Sequence, residues 1–395
     1  MEAQTVSEMT RRERAMASAI GQRADRLPFF HWWRHSQTGW AERECRNRGM
    51  GMNWARPPYV QCLHGVEIGE RSVVVNGRPA IRRTYSTPVG SVYEDEHREP
   101  GTGQWHGNRS WRDVTPWLSS RLIKGPEDYP VVKYIVEHTE YVADYFPIEQ
   151  AMDWLGEEGV VVAALPHSPM QMLMIDWVGS DAGRIFYHMA DYPDLVDDLY
   201  RAISKSREPL YEIAARSPAP ITFWGDNVDG QLVNPRLFEE YFMPEYEKQA
   251  RVLHAQGRLL AVHMDGRLAC LKKLIAGTPI DIIEALHPPP MGDLPLGEAL
   301  AAWPDKAIWV GFPGGVYELG PQATREHAVS LLREASTGER LAISMSTENI
   351  VSNENLLALV SVLEKARLPL TPELVDSIAA EVGNPSSPLR SSAPR

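Results

Sequence analysis

The sequence predicts an α/β fold of the closed (β/α)8 TIM-barrel class with an N-terminal β-hairpin insert. Two observations carry that expectation. From residue 159 onward short apolar runs alternate strictly with helical segments, and strands apolar on both faces belong to a parallel sheet covered by helices. Six such units after residue 159, with one or two before it, make about eight, the number that closes a barrel. A doubly wound sheet would show a glycine-rich phosphate turn after its first strand, and the sequence has none.

The elements follow in order. Thr10 and Glu13 have the spacing of a capping box and open a first helix. Leu27-Pro-Phe-Phe-His-Trp-Trp33 has the aromatic density of a buried strand and is followed by Arg34 and His35. Its tryptophans, with Trp40, Trp54, Trp105 and Trp111, serve either core packing or an aromatic or cationic substrate. Residues 66–98 are short β runs broken by turn residues, with Asn76-Gly77 a hairpin turn. The insert extends to about residue 118 through an aperiodic covering loop from residue 100. Helices are expected over 126–137 and 148–156, then a strand over 159–165 that ends at Pro166-His167-Ser168. Further strands are expected over 220–225, 258–262, 280–283, 307–310 and 341–345. Helices fill the intervals at 170–177, 193–215, 234–256, 267–276, 296–303 and 323–335, and a last helix runs over 356–366. One domain over 1–383 and a disordered tail over 384–395 complete the expectation.

Composition narrows the function classes. A chain of 395 residues, 43% hydrophobic, can bury a large core and is long enough for an enzyme. Its 52 acidic and 40 basic residues give a formal charge of -12, which argues against nucleic-acid or membrane-surface partners. Three scattered cysteines, Cys45, Cys62 and Cys270, do not form a disulfide framework, so a reducing cytoplasm is expected. No signal-like or membrane-spanning apolar run is present.

In such a barrel the carboxyl ends of the strands line the active-site mouth. His167, Asp226, Asn227, His263, Asp265, Glu284 and Glu348 all fall at or just past expected strand ends. His263 and Asp265, with Glu284 on the next strand and Glu348 after the last, are open to three readings: a divalent-metal site, a metal-free acid/base pair, or acidic residues paired with arginines. Asp226 and Asn227 either act on a substrate or cap the following helix. Trp32, Arg34, His35, His167 and Trp224 are the candidates for substrate contact, and Pro288-Pro-Pro-Met-Gly-Asp293 for a rigid wall.

Gly225-Asp-Asn, His254-Ala-Gln-Gly, His263-Met-Asp-Gly, Asp281-Ile-Ile-Glu-Ala and Pro289-Pro-Met-Gly-Asp resemble the uroporphyrinogen decarboxylase superfamily. The segments Arg11-Arg-Glu-Arg, Asp25-Arg-Leu-Pro28, Thr87-Pro-Val-Gly90 and Pro126-Glu-Asp-Tyr129 resemble its corrinoid-dependent methyltransferase branch. The resemblance implies methyl transfer from a small methoxylated or N-methylated compound to a corrinoid held by a partner protein, with Asp226, Asn227, His263 and Asp265 at the chemistry. It also implies Zn²⁺ or another divalent metal on His263, Asp265, Glu284 and Glu348. His263 and Glu284 match the zinc pattern of relatives, whereas Asp265 and Met345 stand where those carry cysteine. Such a donor set is harder and suits polarising an oxygen or nitrogen of a methylated donor. Decarboxylation of a small acid, with Arg34 on the carboxylate, is the alternative, and a homodimer is compatible with either.

Overall fold

The computed structural model describes residues 8–97, 117–179, 181–347 and 351–383. Eight parallel strands close a barrel in sequence order: β1 (Phe29–Trp32), β2 (Gly51–Arg56), β3 (Val161–Leu165), β4 (Ile221–Trp224), β5 (Leu259–His263), β6 (Ile282–Leu286), β7 (Ala307–Gly311) and β8 (Leu341–Ser344), with β8 pairing back onto β1. Helices connect the strands and cover the barrel, so the (β/α)8 expectation holds.

Alternation along each strand sorts the side chains into two layers. Phe30, Trp32, Val160, Val162, Ile221, Ala261, Ile282, Ala307, Trp309 and Ala342 form the barrel's inner cluster. Their neighbours, such as Val262, Ile283, Val310 and Ile343, pack outward in the much larger layer between strands and helices. The helix Arg11–Ala19 brings Ala15 and Ala19 against the inner cluster. Thr10 and Glu13 do form the capping box at its start. The Arg14 guanidinium holds Asp25 at 2.7 Å beside it.

The insert is more continuous than its sequence suggests. Its short runs merge into Glu67–Val75, Arg78–Thr87 and Gly90–His97, and Trp117–Ser120 completes a four-stranded antiparallel sheet. Asn76 (φ 50°) and Gly77 (φ 76°) are both left-handed, the geometry that lets a two-residue turn follow the twist of its strands. Most of the covering loop, with Trp105 and Trp111, and the tail over 384–395 lie outside the described residues.

Several elements differ from expectation. β2 is not recognisable as a strand from sequence because Gly51-Met-Asn-Trp-Ala-Arg mixes polar and apolar residues. Buried Asn53 explains the mixture, since its side-chain oxygen accepts the Val160 amide at 3.0 Å. A two-stranded pair, Tyr59–Leu63 with Thr139–Ala143, and the helix Arg184–Asp191 are additional. The helix ending at Leu363 is not the last, because Pro372–Val382 follows, capped by Thr371. Among the described residues no helix is long and apolar enough to cross a membrane.

Candidate active site

β5 and β6 run in parallel with His263 opposite Glu284. Both share the inward phase of their strands, His263 with Ala261 and Glu284 with Ile282, so the two polar side chains meet inside the barrel at its carboxyl end. His263 Nδ1 is hydrogen-bonded to Glu284 Oε2, and its Nε2 faces Asp265 Oδ2 at 3.5 Å. Glu284 is buried, and its other oxygen accepts the Trp32 indole N–H at 3.0 Å. The Phe223 ring meets the imidazole edge-on, with centroids 6.2 Å apart.

This setting fixes the charge of His263. Burial pushes its pKa down, but the charge of Glu284 and the hydrogen bonds to Asp265 and Glu284 outweigh that and raise it to about 10. The two carboxylates favour its cationic form. Burial pushes Asp265 up, and the hydrogen bond and charge of His263 more than reverse the effect, so it stays ionised below the usual carboxylate range.

Sequence reading missed His287. Strict alternation along β6 would turn Leu286 inward and His287 outward. The register instead slips between Glu284 and Leu286, with Ala285 left-handed at φ 61°. The bulge turns Leu286 into the outer layer. It also brings His287 over Gly311, where an added Cβ would lie 2.4 Å from the imidazole Cε1. Burial, with the positive charge of His263, lowers the His287 pKa against the pull of Asp265. Its Nδ1 is buried without a hydrogen-bond partner among the described residues.

The loops after β4 and β5 hold each other. The Val228 amide donates to the His263 carbonyl at 3.3 Å, Gly266 to Val228 at 3.2 Å and Gly230 to Arg267 at 2.9 Å. Gly266 is required at this approach, because a Cβ there would lie 2.4 Å from Asp229 Cα.

The remaining candidates fall in different places. Trp32 faces inward as part of the site wall. Arg34 and His35 occupy the short turn Trp33–His35 immediately after β1, Arg34 exposed on the rim. His167 pairs with Asp176 at 2.7 Å on the loop after β3. Trp224 does not line the site: it points outward, its ring against Tyr211 and Tyr246 of the covering helices. Met345 likewise packs in the outer layer. Asp226 is fully buried, where Oδ1 accepts the Ser168 amide at 2.6 Å and Oδ2 the Tyr246 hydroxyl at 2.8 Å. Asn227, left-handed at φ 46°, is exposed. Neither caps the next helix, a role taken by Asn234, whose side chain accepts the Leu237 amide at 3.0 Å. Glu348 lies outside the described residues.

Among the described residues no three His, Cys, Asp or Glu side chains form a group that could hold a metal ion. His263 stands between Glu284 and Asp265 with each ring nitrogen turned to a carboxylate. A metal on this set would need the imidazole neutral and one of its nitrogens turned away from its carboxylate, and Glu348, the fourth expected ligand, lies outside the described residues.

No protein-family model matches the chain, and no curated protein matches its sequence. Among solved structures, a methyltransferase from Methanosarcina mazei is similar, with a TM-score of 0.50 and 14% sequence identity, over 90% of this chain and 98% of that one. At that identity the likeness speaks for the fold.

Proposed function

We propose that the protein transfers a methyl group from a small methoxylated or N-methylated compound to a corrinoid carried by a partner protein, with His263 supplying the proton taken up by the departing oxygen or nitrogen. One observation carries this reading: an imidazole held between the carboxylates of Glu284 and Asp265 at the mouth of the barrel, a setting that favours its cationic form. When the methyl group leaves, the electron pair of its bond stays on the heteroatom. That atom then needs a proton, and a positioned cationic imidazole provides it as a general acid. Glu284, steadied by Trp32, keeps the ring oriented through Nδ1, and Nε2, 3.5 Å from Asp265, is the nitrogen that delivers the proton while Asp265 stabilises the charge. Burial lowers the pKa of His287 while the carboxylates raise that of His263, so two histidines of one site shifted in opposite directions offer a base and an acid. Trp32 and Phe223, whose ring centroids are 5.5 Å apart, supply an aromatic wall. The resemblance to corrinoid-dependent methyltransferases and the Methanosarcina mazei neighbour, itself named a methyltransferase, support the same class.

The test mixes the protein with a reduced corrinoid protein and a panel of methoxy-aromatics and methylamines. A methylcobalamin spectrum from one donor, lost in His263→Gln, is the expected result. The same acid could instead protonate the carbanion left when carbon dioxide departs, with Arg34 on the rim to receive a carboxylate. Carbon dioxide release from an acid without any corrinoid, and no methylcobalamin from the panel, would replace methyl transfer by that lyase reaction.

A further inference from the structure

A second histidine–carboxylate pair stands at the same mouth. His167 lies two residues beyond β3, and Asp176 belongs to the π-helical turn Leu173–Trp177. His167 Nδ1 and Asp176 Oδ2 are 2.7 Å apart, and the side chains keep 23% and 34% of their exposure. The pair is reachable from solvent yet held in one orientation.

What holds it is unusual. The buried guanidinium of Arg207 donates to the His167 carbonyl, and its Nη2 lies 3.0 Å from Met172 Sδ. Fully buried Asp226 takes the amide of Ser168, the next residue, and is itself fixed by the Tyr246 hydroxyl. Two charged side chains out of water are thus committed to the backbone of a single dipeptide. Burying a charge is costly unless it is well compensated, and this form of support is what precise placement of a side chain demands. Beside the pair, Gln171 Oε1 is buried with no hydrogen-bond partner among the described residues.

β3 and β5 flank β4, with Leu165 and Val262 both opposite Trp224. His167 and His263 therefore leave the barrel two strands apart, about 10 Å at the usual strand spacing, with Phe223 on the strand between them. That distance suits one ring-sized molecule.

We infer that His167 and Asp176 form a second proton-exchanging dyad, which takes a second polar group of the substrate while His263 takes the methylated one. The inference rests on the proposed reaction for the chemistry it serves. His167 Nε2 hands its proton to that group's oxygen or nitrogen and recovers it afterwards, Asp176 balancing the imidazolium charge throughout. Arg207 and Asp226 are positioning residues. The charged groups around His167 agree with this role: burial and Arg207 lower its pKa, but Asp176 and Asp226 outweigh them and raise it.

Histidine-labelled full-length protein, titrated by NMR, tests the dyad independently of any reaction. The His167 resonance is expected to titrate above the ordinary value of about 6.5 and to fall by about one unit in Asp176→Asn, a nearly isosteric change at a half-exposed position. A His167 titration at or below the ordinary value, unmoved in Asp176→Asn, would overturn the inference. In the corrinoid assay His167→Gln and Asp176→Asn should lower kcat/KM about 100-fold and remove one limb of the pH profile, with thermal unfolding unchanged. Wild-type rates and profile in both variants would also overturn it. If the wild type methylates corrinoid from no donor, the reaction reading falls and the titration alone decides the dyad.

Discussion

The indole N–H of Trp32 donates to Glu284 Oε1 at 3.0 Å, joining β1 to β6 through the barrel interior. Glu284 in turn orients His263, so an aromatic residue of the first strand sets the position of the proposed acid on the fifth. Trp32→Phe keeps the ring and removes the donor. Losing a hydrogen bond to a buried charged group costs about 2 kcal/mol, measurable by urea unfolding. Methyl transfer should fall with it, and an unchanged unfolding midpoint would show that Glu284 does not need this bond.

Stability should depend on pH through His263. Its folded pKa, raised to about 10, lies above the unfolded value, so the stabilisation is fully present below about pH 6.5 and is lost as pH rises through 10. His263→Gln should cost about 3 kcal/mol at pH 6, since it leaves Glu284 buried without its cation. The difference between wild type and variant should shrink steadily toward pH 10. A difference independent of pH would mean that the imidazole is neutral in the folded protein.

Gly311→Ala tests whether His287 belongs to the site. The added methyl would fall 2.4 Å from the His287 ring, so the ring must move. Overpacking of this kind costs about 1–3 kcal/mol. The expected signature is a shifted His287 resonance and reduced turnover with the His263 titration largely retained. An undisturbed His287 resonance would remove the residue from the mechanism.

Most of the barrel was legible because its strands are short apolar runs bounded by turn residues, and the pairing of His263 with Glu284 follows once two parallel strands end together. Phase was not legible. A strand buried on both faces carries no polar alternation, so nothing in Pro220-Ile-Thr-Phe-Trp-Gly225 shows that Phe223 faces the interior and Trp224 the helices. His287 was hidden for a related reason, because a bulge with a left-handed alanine reverses the phase of β6 without glycine or proline at the bulge to mark it. Asp226 and Asn227 looked alike at a strand end, yet Asp226 is buried on Ser168 and Tyr246 whereas Asn227 is exposed.

Trp224 supplies a prediction that separates packing from recognition. Its ring is enclosed by Tyr211 and Tyr246, so Trp224→Ala should cost about 3–5 kcal/mol through the cavity it leaves. Trp224→Phe should be milder and leave KM for the donor unchanged. A change in KM without a loss of stability would return this residue to the substrate pocket.

The most consequential prediction concerns metal. Zinc on His263 would require the imidazolium to give up a proton it holds to about pH 10 and one nitrogen to leave its carboxylate. At neutral pH that costs on the order of a few kcal/mol before any ligand bond forms. Dialysis against EDTA at pH 7 should therefore leave the unfolding midpoint and the His263 titration unchanged, and micromolar zinc should not raise the midpoint. A stoichiometric metal in the purified protein, removed by EDTA with a loss of stability and with a neutral His263 in the metal-bound form, would overturn the acid role. Asp265, Glu284 and a residue outside those described would then have to close the coordination shell, and the proton for the departing heteroatom would have to come from elsewhere in the mouth.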